Sequence, residues 1–284
     1  MFPDLYSKAC RLIAHRYDGL ALKLHHAAVI YIDTYTNTDF NFRVNGEMRV
    51  LERLLPLLGI RPVVLDVGCN TGEWAELALQ RRGDIALHGF EIAPPMQEEI
   101  QRRLGGNPNF TLCPFGLSDS ETTVSFALYR DNSVLTSLVK DLPRRVGGKV
   151  LEPEIVEGRV ERGDDYCRRN GIDRIGFLKI DVEGHEWEVL DGFATMLAER
   201  RIDALQFEFG FEVYITGRTL RQYDQRLRKL GYTVGRVLTT GVFFSDSGDQ
   251  FERLSFGNYV AVLADRSDLV TALKPDNRNT IYDP

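Results

Sequence analysis

No stretch constrains this chain more than Val63 to Trp74, VVLDVGCNTGEW, in which an apolar run ends in an acid and breaks into glycines before a helical pattern begins. Val63, Val64, Leu65 and Val67 are the aliphatic and β-branched residues of a strand buried on both faces. Gly68 and Gly72 let the backbone turn tightly and come close to a ligand. The stretch therefore predicts the first strand, ligand turn and first helix of a Rossmann-like α/β domain. Asp66 at the strand end would repel a phosphate, whereas a carboxylate can accept hydrogen bonds or face a cation. A sulfonium cofactor suits this turn better than a dinucleotide.

The chain has 284 residues, 43% of them hydrophobic, enough for one large core and favouring one elaborated domain. A net charge of −6 offers no broad cationic footprint, which disfavours nucleic acid and anionic membrane as main partners. The arginine doublets Arg102-Arg103, Arg144-Arg145, Arg168-Arg169 and Arg200-Arg201 read as solvated faces. Cys10, Cys69, Cys113 and Cys167 lie far apart without metal-ligand spacing, which fits a reducing, cytoplasmic compartment. No targeting pattern opens the sequence, and no apolar run approaches the ~20 residues of a membrane span.

Taken in order, residues 3 to 36 carry two helical patterns split by Asp18-Gly19, with Leu5, Leu12 and Ile13 in one stripe and Leu20, Leu24, Ala28, Tyr31 and Ile32 in the other. They form an N-terminal helical extension over residues 1–45 that would cap a cleft, mediate a homodimer or pack on the sheet. His15, His25 and His26 lack partners at ligand spacing and read as structural. Thr38 to Asn45 leads into a helix from Gly46-Glu47 through Leu58. A helix over Trp74 to Gln80 precedes the second strand, Ile85 to Glu91. Glu91 then stands about 20 residues past the glycine turn, where a strand-end acid hydrogen-bonds ribose hydroxyls. Ile92 follows it, and Pro94-Pro95 opens a helix to Leu104. Phe110 to Cys113 is the third strand. In the turn after it, Asp119, beside Ser118, is placed to meet an adenine amine. Thr122 to Tyr129 alternates as an added strand, Arg130 to Ser137 is a polar loop able to reach over the cleft, and Lys140 to Gly158 reads as a surface excursion.

The second centre is FLKIDVEGHEWEVLDG, Phe177 to Gly192. A strand following a crossover lies beside the first one, so Asp181 should face Asp66 and Gly68 across the topological switch point. Lys179 and Asp181 share a strand face, and a lysine in so apolar a strand needs a partner, for which the carboxylate is the natural candidate. Gly184 permits a tight exit, and a helix is predicted from Glu183 with His185 one turn into it. Asp203 to Gly210 is a further strand with Glu208 at its carboxyl edge. Thr219 to Leu230 is a helix closed by Gly231, and Tyr232 to Leu238 and Tyr259 to Ala264 complete the sheet. GVFFSDSGDQFERL connects those two strands. The residues after Asp265 form a polar, peripheral tail, so the main domain covers residues 46–265.

DVGCNTG, Phe90-Glu91, GLSD, FLKIDVEGHEWEVLDG, QFEFG, LGY and NYVAV occur in an order that resembles the FkbM-type family of S-adenosylmethionine-dependent methyltransferases, over residues 44 to 264. Asn70 stands where many other methyltransferases carry a second glycine, in keeping with this family. The resemblance implies a class I methyltransferase fold: a seven-stranded, mostly parallel sheet with helices on both faces. It also implies methyl transfer to a hydroxyl on a glycan, glycolipid or natural product. The cofactor-binding set would be Asp66, Gly68, Asn70, Gly72, Glu91, Ile92, Ser118, Asp119 and Asp181. Asp181 is the first candidate for base or substrate orientation, against a structural role as partner of Lys179, and His185 is a second proton acceptor. No metal is expected, although Asp181, Glu183 and Glu208 are the carboxylates that would hold one. A non-catalytic nucleoside-binding scaffold is the alternative. An NAD-dependent oxidoreductase lacks both its GxGxxG turn and a Tyr-x-x-x-Lys pair in this chain.

Overall fold

The computed structural model describes residues 19–38, 41–130, 135–139, 145–146, 149–244 and 256–275. A helix over Gly19–Thr36 leads, through a buried Asn37, to a second helix over Glu47–Leu54. Strand β1 (Val63–Val67), a helix over Glu73–Arg81, β2 (Ala86–Phe90), a helix over Pro94–Leu104 and β3 (Phe110–Cys113) follow as right for a βαβαβ half. Next come β4 (Gly116–Ser118), β5 (Thr122–Leu128), the short pair β6 (Arg145–Val146) and β7 (Lys149–Val150), and β8 (Glu154–Arg162). The second half holds β9 (Ile175–Ile180), helices over Glu186–Gly192 and Ala194–Ala198, β10 (Ile202–Phe209), a helix over Leu220–Lys229, β11 (Tyr232–Leu238), β12 (Gly241–Phe244) and β13 (Gly257–Leu263).

The main sheet runs β12-β11-β13-β10-β9-β1-β2-β3. β3, β2, β1, β9 and β10 are parallel, while β13 runs against both β10 and β11. This is the Rossmann-like order the sequence predicts, with one strand more than seven. The eighth, β12, comes from GVFF, read in sequence as part of a connection. It pairs antiparallel to β11 as the return arm of a hairpin, buries Val242 and so completes an edge.

Period-two alternation divides the core into two faces. Val64, Phe177, Ala204 and Val262 stand in one row across β1, β9, β10 and β13, and Leu65, Leu178, Leu205 and Ala261 in the next row on the opposite face. Helices Glu47–Leu54, Glu73–Arg81 and Pro94–Leu104 cover the first face with Leu51, Leu54, Trp74, Ala78 and Ile100. Helices Glu186–Gly192 and Leu220–Lys229 cover the second with Leu190, Tyr223 and Leu227. The latter helix starts in a capping box between Thr219 and Gln222, which satisfies its first backbone donors reciprocally.

Three sequence expectations are corrected. Glu154 to Gly158 belongs to β8, a nine-residue strand between β4 and β5 in a separate three-stranded sheet, not to a surface excursion. Glu154, Glu157 and Arg159 are exposed, which masks the strand in composition, while Val160 and Glu161 are buried. The residues after Asp265 are not a peripheral tail throughout. Ser267–Leu273 is a helix that buries Leu269 and Leu273 in the core, and Arg53 Nη1 bonds the carbonyl of Lys274 at 2.6 Å. The helix over Gly19–Thr36 does not pack on the sheet, since Leu20, Leu24, Tyr31 and Ile32 are exposed. The first predicted helical stripe, with Leu5, Leu12 and Ile13, and His15 and Cys10 lie outside the described residues.

Removing a side chain from a packed core loses its transfer energy and leaves a cavity. Leu269→Ala is therefore expected to destabilise the fold by about 2–5 kcal/mol in urea denaturation. Leu20→Ala, on an exposed helix, should shift stability by less than about 0.5 kcal/mol. An equal, small effect of both would mean that the C-terminal helix is not part of the core.

Candidate functional site

The site lies at the carboxyl edge of the parallel strands, where β1 and β9 meet and the chain reverses its winding. Strand register builds it in two steps on one face. Asp66, Lys179 and Gln206 occupy one row of β1, β9 and β10. Two residues further on, Gly68, Asp181 and Glu208 leave the same strand ends.

Gly68 has φ +83°, and a Cβ there would lie 1.8 Å from the Asp181 carbonyl oxygen. Only glycine fits the first residue of the turn, because the neighbouring strand passes against it. The amides of Gly68 and Cys69 both donate to the Phe90 carbonyl, at 3.0 and 2.9 Å, tying the turn to β2. Asn70 is left-handed, at φ 49°, and its amide donates to Glu91 Oε2 at 2.8 Å. Glu91 Oε1 accepts the Ala93 amide at 2.8 Å. The acid thus bridges the glycine turn and the start of the next helix with its carboxyl group held in place. Gly72, at φ 78°, precedes the first residue of the Glu73–Arg81 helix.

Lys179 is buried, with Nζ 2.8 Å from Asp181 Oδ2 and 3.7 Å from Asp66 Oδ1, and 5.7 Å from the centre of the Trp74 ring. Burial alone would lower its amine's pKa, but Asp181, Asp66 and Glu47 outweigh burial and raise it. Asp66 is fully buried, and burial pushes its carboxyl to about 6 in spite of Lys179 and the Cys69 thiol. Glu91 is pushed by burial to about 7, against the pull of its backbone donors. Asp181 goes the other way: Lys179 overrides the burial that would raise it and holds it ionised. Its side chain is 37% exposed, so a ligand can reach it.

The expected pairing of Lys179 with Asp181 is therefore present, together with a partner that sequence reasoning missed. Glu47, at the start of the Glu47–Leu54 helix, is buried under the same row. Its Oε2 accepts Gln206 Nε2 at 2.6 Å, and its Oε1 accepts Asn45 Nδ2 at 2.8 Å and Asn258 Nδ2 at 3.1 Å. Gln206 was the available signal, being a polar residue in an apolar strand on the face of Glu208.

Glu183 and Glu208 do converge on Asp181, and carboxylate oxygens of the three lie within 4.8 Å of one another. Glu208 is raised well above its ordinary value by burial, then by Asp181, Glu183 and Glu186. Glu183 has φ 54°, and its carbonyl accepts the Ser137 hydroxyl at 2.5 Å, so the chain after Arg130 does reach the site.

His185 does not lie one turn into a helix. It precedes the first helical residue, Glu186, because Gly184 at φ 104° turns the chain first. Its Nε2 shares a hydrogen bond with Ser118 Oγ at 2.9 Å, and burial lowers its pKa against Glu188 and Asp119. Ser118 and His185 thus join β4 to the β9 loop. Asp119 is exposed and accepts hydroxyls of Ser118 and Ser120 at 3.2 and 3.0 Å. Ile92 packs toward Gly116 and Gly158 of the small sheet. Glu186, unremarked in sequence, accepts the amides of Val182 and Gly184 at 3.1 and 3.2 Å, and burial pushes it to about 8.

Among the described residues, the buried polar atoms without a hydrogen-bond partner include both carboxylate oxygens of Asp66, Asn70 Oδ1 and Trp74 Nε1. These four atoms belong to the glycine turn and its flanks, and the other four are nitrogens of Arg162, Arg201, Arg226 and Arg236 elsewhere. Native interiors rarely leave such atoms unsatisfied, and their concentration here marks a place built to meet a polar ligand.

Sheet order, glycine turn and strand-end acids together define a methyltransferase-type α/β fold. The family model "Methyltransferase FkbM domain" matches residues 66–234, more than half of the chain, and the protein belongs to this family. It is 26% identical to the 2-O-methyltransferase NoeI of Sinorhizobium fredii over 153 residues, 49% of this chain and 60% of that protein. It is 28% identical to the 31-O-demethyl-FK506 methyltransferase FkbM of Streptomyces tacrolimicus, over 47% of this chain and 60% of that protein. The matched region thus spans 60% of the length of each of these two relatives. Among solved structures, the precorrin-6y C5,15-methyltransferase of Geobacter metallireducens overlaps 76% of this chain and 87% of its own, at 15% identity and a TM-score of 0.36.

Glu186 links the site to stability. Its pKa is raised on folding, so between about 4.5 and about 8 the folded state binds more protons than the unfolded one, and stability falls as pH rises. Thermal denaturation is expected to show a melting temperature that declines from pH 5.5 to 8. Glu186→Gln keeps the carbonyl acceptor for the two amides and should flatten that decline. An unchanged slope would remove Glu186 as its source.

Proposed function

We propose that the protein is an S-adenosylmethionine-dependent O-methyltransferase acting on a hydroxyl of a glycan, glycolipid or natural product. The observation that carries this reading is the acidic switch point. Asp66, Asp181 and Glu47 gather around a single lysine, Glu208 adjoins Asp181, and the buried Asp66 faces that lysine at 3.7 Å and the Cys69 thiol. Such a site favours a cationic nucleoside and disfavours the phosphates of a dinucleotide. The two O-methyltransferase relatives support the oxygen acceptor.

In this reading Glu91, oriented by the amides of Asn70 and Ala93, takes the ribose hydroxyls with its remaining lone pairs. Gly68, Asn70 and Gly72 bring backbone to the ligand, Asp66 faces its cationic end, and Ser118, Asp119 and Ile92 flank the base. S-adenosylmethionine supplies, when bound, an electrophilic methyl group on a positive sulfonium. The acceptor hydroxyl must then be held in line at roughly 3 to 3.5 Å. Asp181, ionised and accessible, accepts a hydrogen bond from that hydroxyl and receives its proton. Lys179 positions Asp181. His185, turned toward Ser118, is the second acceptor and orders the loop. A divalent metal is not required in this scheme. The buried thiols Cys69, Cys113 and Cys167 are unpaired, which supports a reducing compartment. No described helix is long and apolar enough to cross a membrane.

Calorimetry with S-adenosylhomocysteine should show binding to the wild type and weakened binding to Glu91→Ala, and absence of heat with the wild type would sink the cofactor assignment. Asp181→Asn is expected to lower turnover by about 10²- to 10⁴-fold with cofactor affinity retained. An unchanged rate would take Asp181 out of the chemistry, and a rate abolished by chelator would restore the metal. The cation should also bind more tightly as pH rises from 6 to 8, because Asp66 and Glu91 ionise near 6 and 7. Titration of S-adenosylmethionine at those pH values would measure it, and a flat profile would mean that neither acid faces the cofactor.

A further inference from the structure

The chain just beyond Glu208 carries a surface that the cofactor turn does not use. Phe211 is 48% exposed, Tyr214 67% and Ile215 44%, in three neighbouring positions at the carboxyl edge of β10. Single exposed apolar residues need no explanation, but a contiguous group beside a functional edge does. The rings cluster around Phe256, tilted from it by 44° for Phe211, 33° for Phe209 and 73° for Tyr214, so that together they make a stepped rather than a flat shelf. Phe211 and Phe256 have centroids 4.2 Å apart, and Tyr214 and Phe209 lie 6.4 and 6.3 Å from Phe256. Phe209 is buried, which roots the shelf in the core.

The same few residues turn carboxylates inward. Glu212, between the exposed Phe211 and the short helix Val213–Thr216, folds under toward Gly184 and Gly210. Glu208, Glu212, Glu186, Arg218 and Tyr223 line a small cavity below. Glu208 also has an oxygen within 4.8 Å of Asp181's. Aromatic faces and carboxylates therefore lie side by side, next to the proposed proton acceptor.

That juxtaposition selects among acceptors. An anionic ligand brought to Glu208 would lie against the ionised Asp181. A nucleobase would stack on the rings, but its strand would bring phosphates to the same edge. An acyl chain would cover Glu208 without offering it a hydrogen-bonding partner, leaving a polar group desolvated. A neutral sugar ring satisfies both halves, since one face is all C–H and the rim is all hydroxyl.

We propose that Phe211, Tyr214 and Phe256 form the acceptor platform: a neutral pyranose ring lays its C–H face on this shelf and turns hydroxyls to Glu208 and Asp181. The inference rests on the methyltransferase reading for its placement beside Asp181. The shelf also makes the ring, rather than any lipid attached to it, the recognised group.

Saturation-transfer NMR on the full chain tests it, with and without S-adenosylhomocysteine. The probes are the methyl pyranosides of glucose, galactose, mannose and rhamnose, and octyl glucoside below its micellar concentration. Saturation is expected at ring C–H protons of at least one pyranoside. Phe211→Ala with Tyr214→Ala should weaken that binding by at least about fivefold, the scale of a lost ring contact. Phe211→Tyr with Tyr214→Phe, which keeps both rings, should restore it, and all variants should bind S-adenosylhomocysteine like the wild type. Saturation that survives the double alanine change, that is confined to the octyl chain, or that reaches none of the pyranosides overturns the proposal. Failure of the wild type to bind S-adenosylhomocysteine would overturn the methyltransferase reading instead, and the experiment without that ligand still decides the shelf.

Discussion

Burial of one ammonium group organises this protein. Lys179 sits near the carboxyl end of an all-buried strand, where an unpaired charge would cost several kcal/mol, and only the carboxylates gathered around it make that tolerable. Asp66 comes from β1, Asp181 from the end of β9 itself, and Glu47 from the helix that precedes the sheet. The ion cluster thereby fixes register at the switch point, because a slip of one residue would turn Lys179 into the opposite, apolar face. The acids outnumber the lysine, so burial has to raise Asp66 and Glu47 and leave part of the charge unbalanced. An edge with this excess is suited to a cation.

The cluster also connects regions remote in sequence. Asn37 Nδ2 donates to the carbonyls of Asn45 and Val237, at 2.6 and 3.0 Å, and Asn45 in turn holds Glu47. Through Glu47 and Gln206 the N-terminal segment reaches the row that contains Lys179. The chain after Arg130 reaches the other side through Ser137 and Glu183. Segments that looked like additions to a minimal fold therefore close around the site from both sides, and among the described residues the edge beyond β10 carries the exposed aromatic cluster.

Much of this was legible in the residues. The buried strands, the glycine turn, Glu91, the Lys179 and Asp181 pair and the capped helix after Thr219 each follow from local patterns whose period or chemistry has few solutions. The misreadings share a cause. β8 alternates charged and apolar residues in a segment rich in Pro, Gly and charge, so its half-buried face is visible only when β5 pairs with it. The C-terminal helix is short, and its two buried leucines look incidental until the Glu47–Leu54 helix packs on them. The apolar spacing that starts near Glu183 predicts His185 inside a helix, whereas Gly184 spends one residue on a left-handed turn.

By itself the sequence determined the α/β class, the position of the ligand turn and the acids at the strand ends, because alternation, glycine and carboxylate chemistry act within a few residues. Only the tertiary structure decided which acids share Lys179. That depends on the register of β1, β9 and β10 and on a helix that approaches from before the sheet. It also decided that Glu183 and Glu208 converge on Asp181, that Ser118 meets His185, and that Phe211, Tyr214 and Phe256 stand together. Such groupings are set by packing across elements, where distance in space bears no fixed relation to distance along the chain.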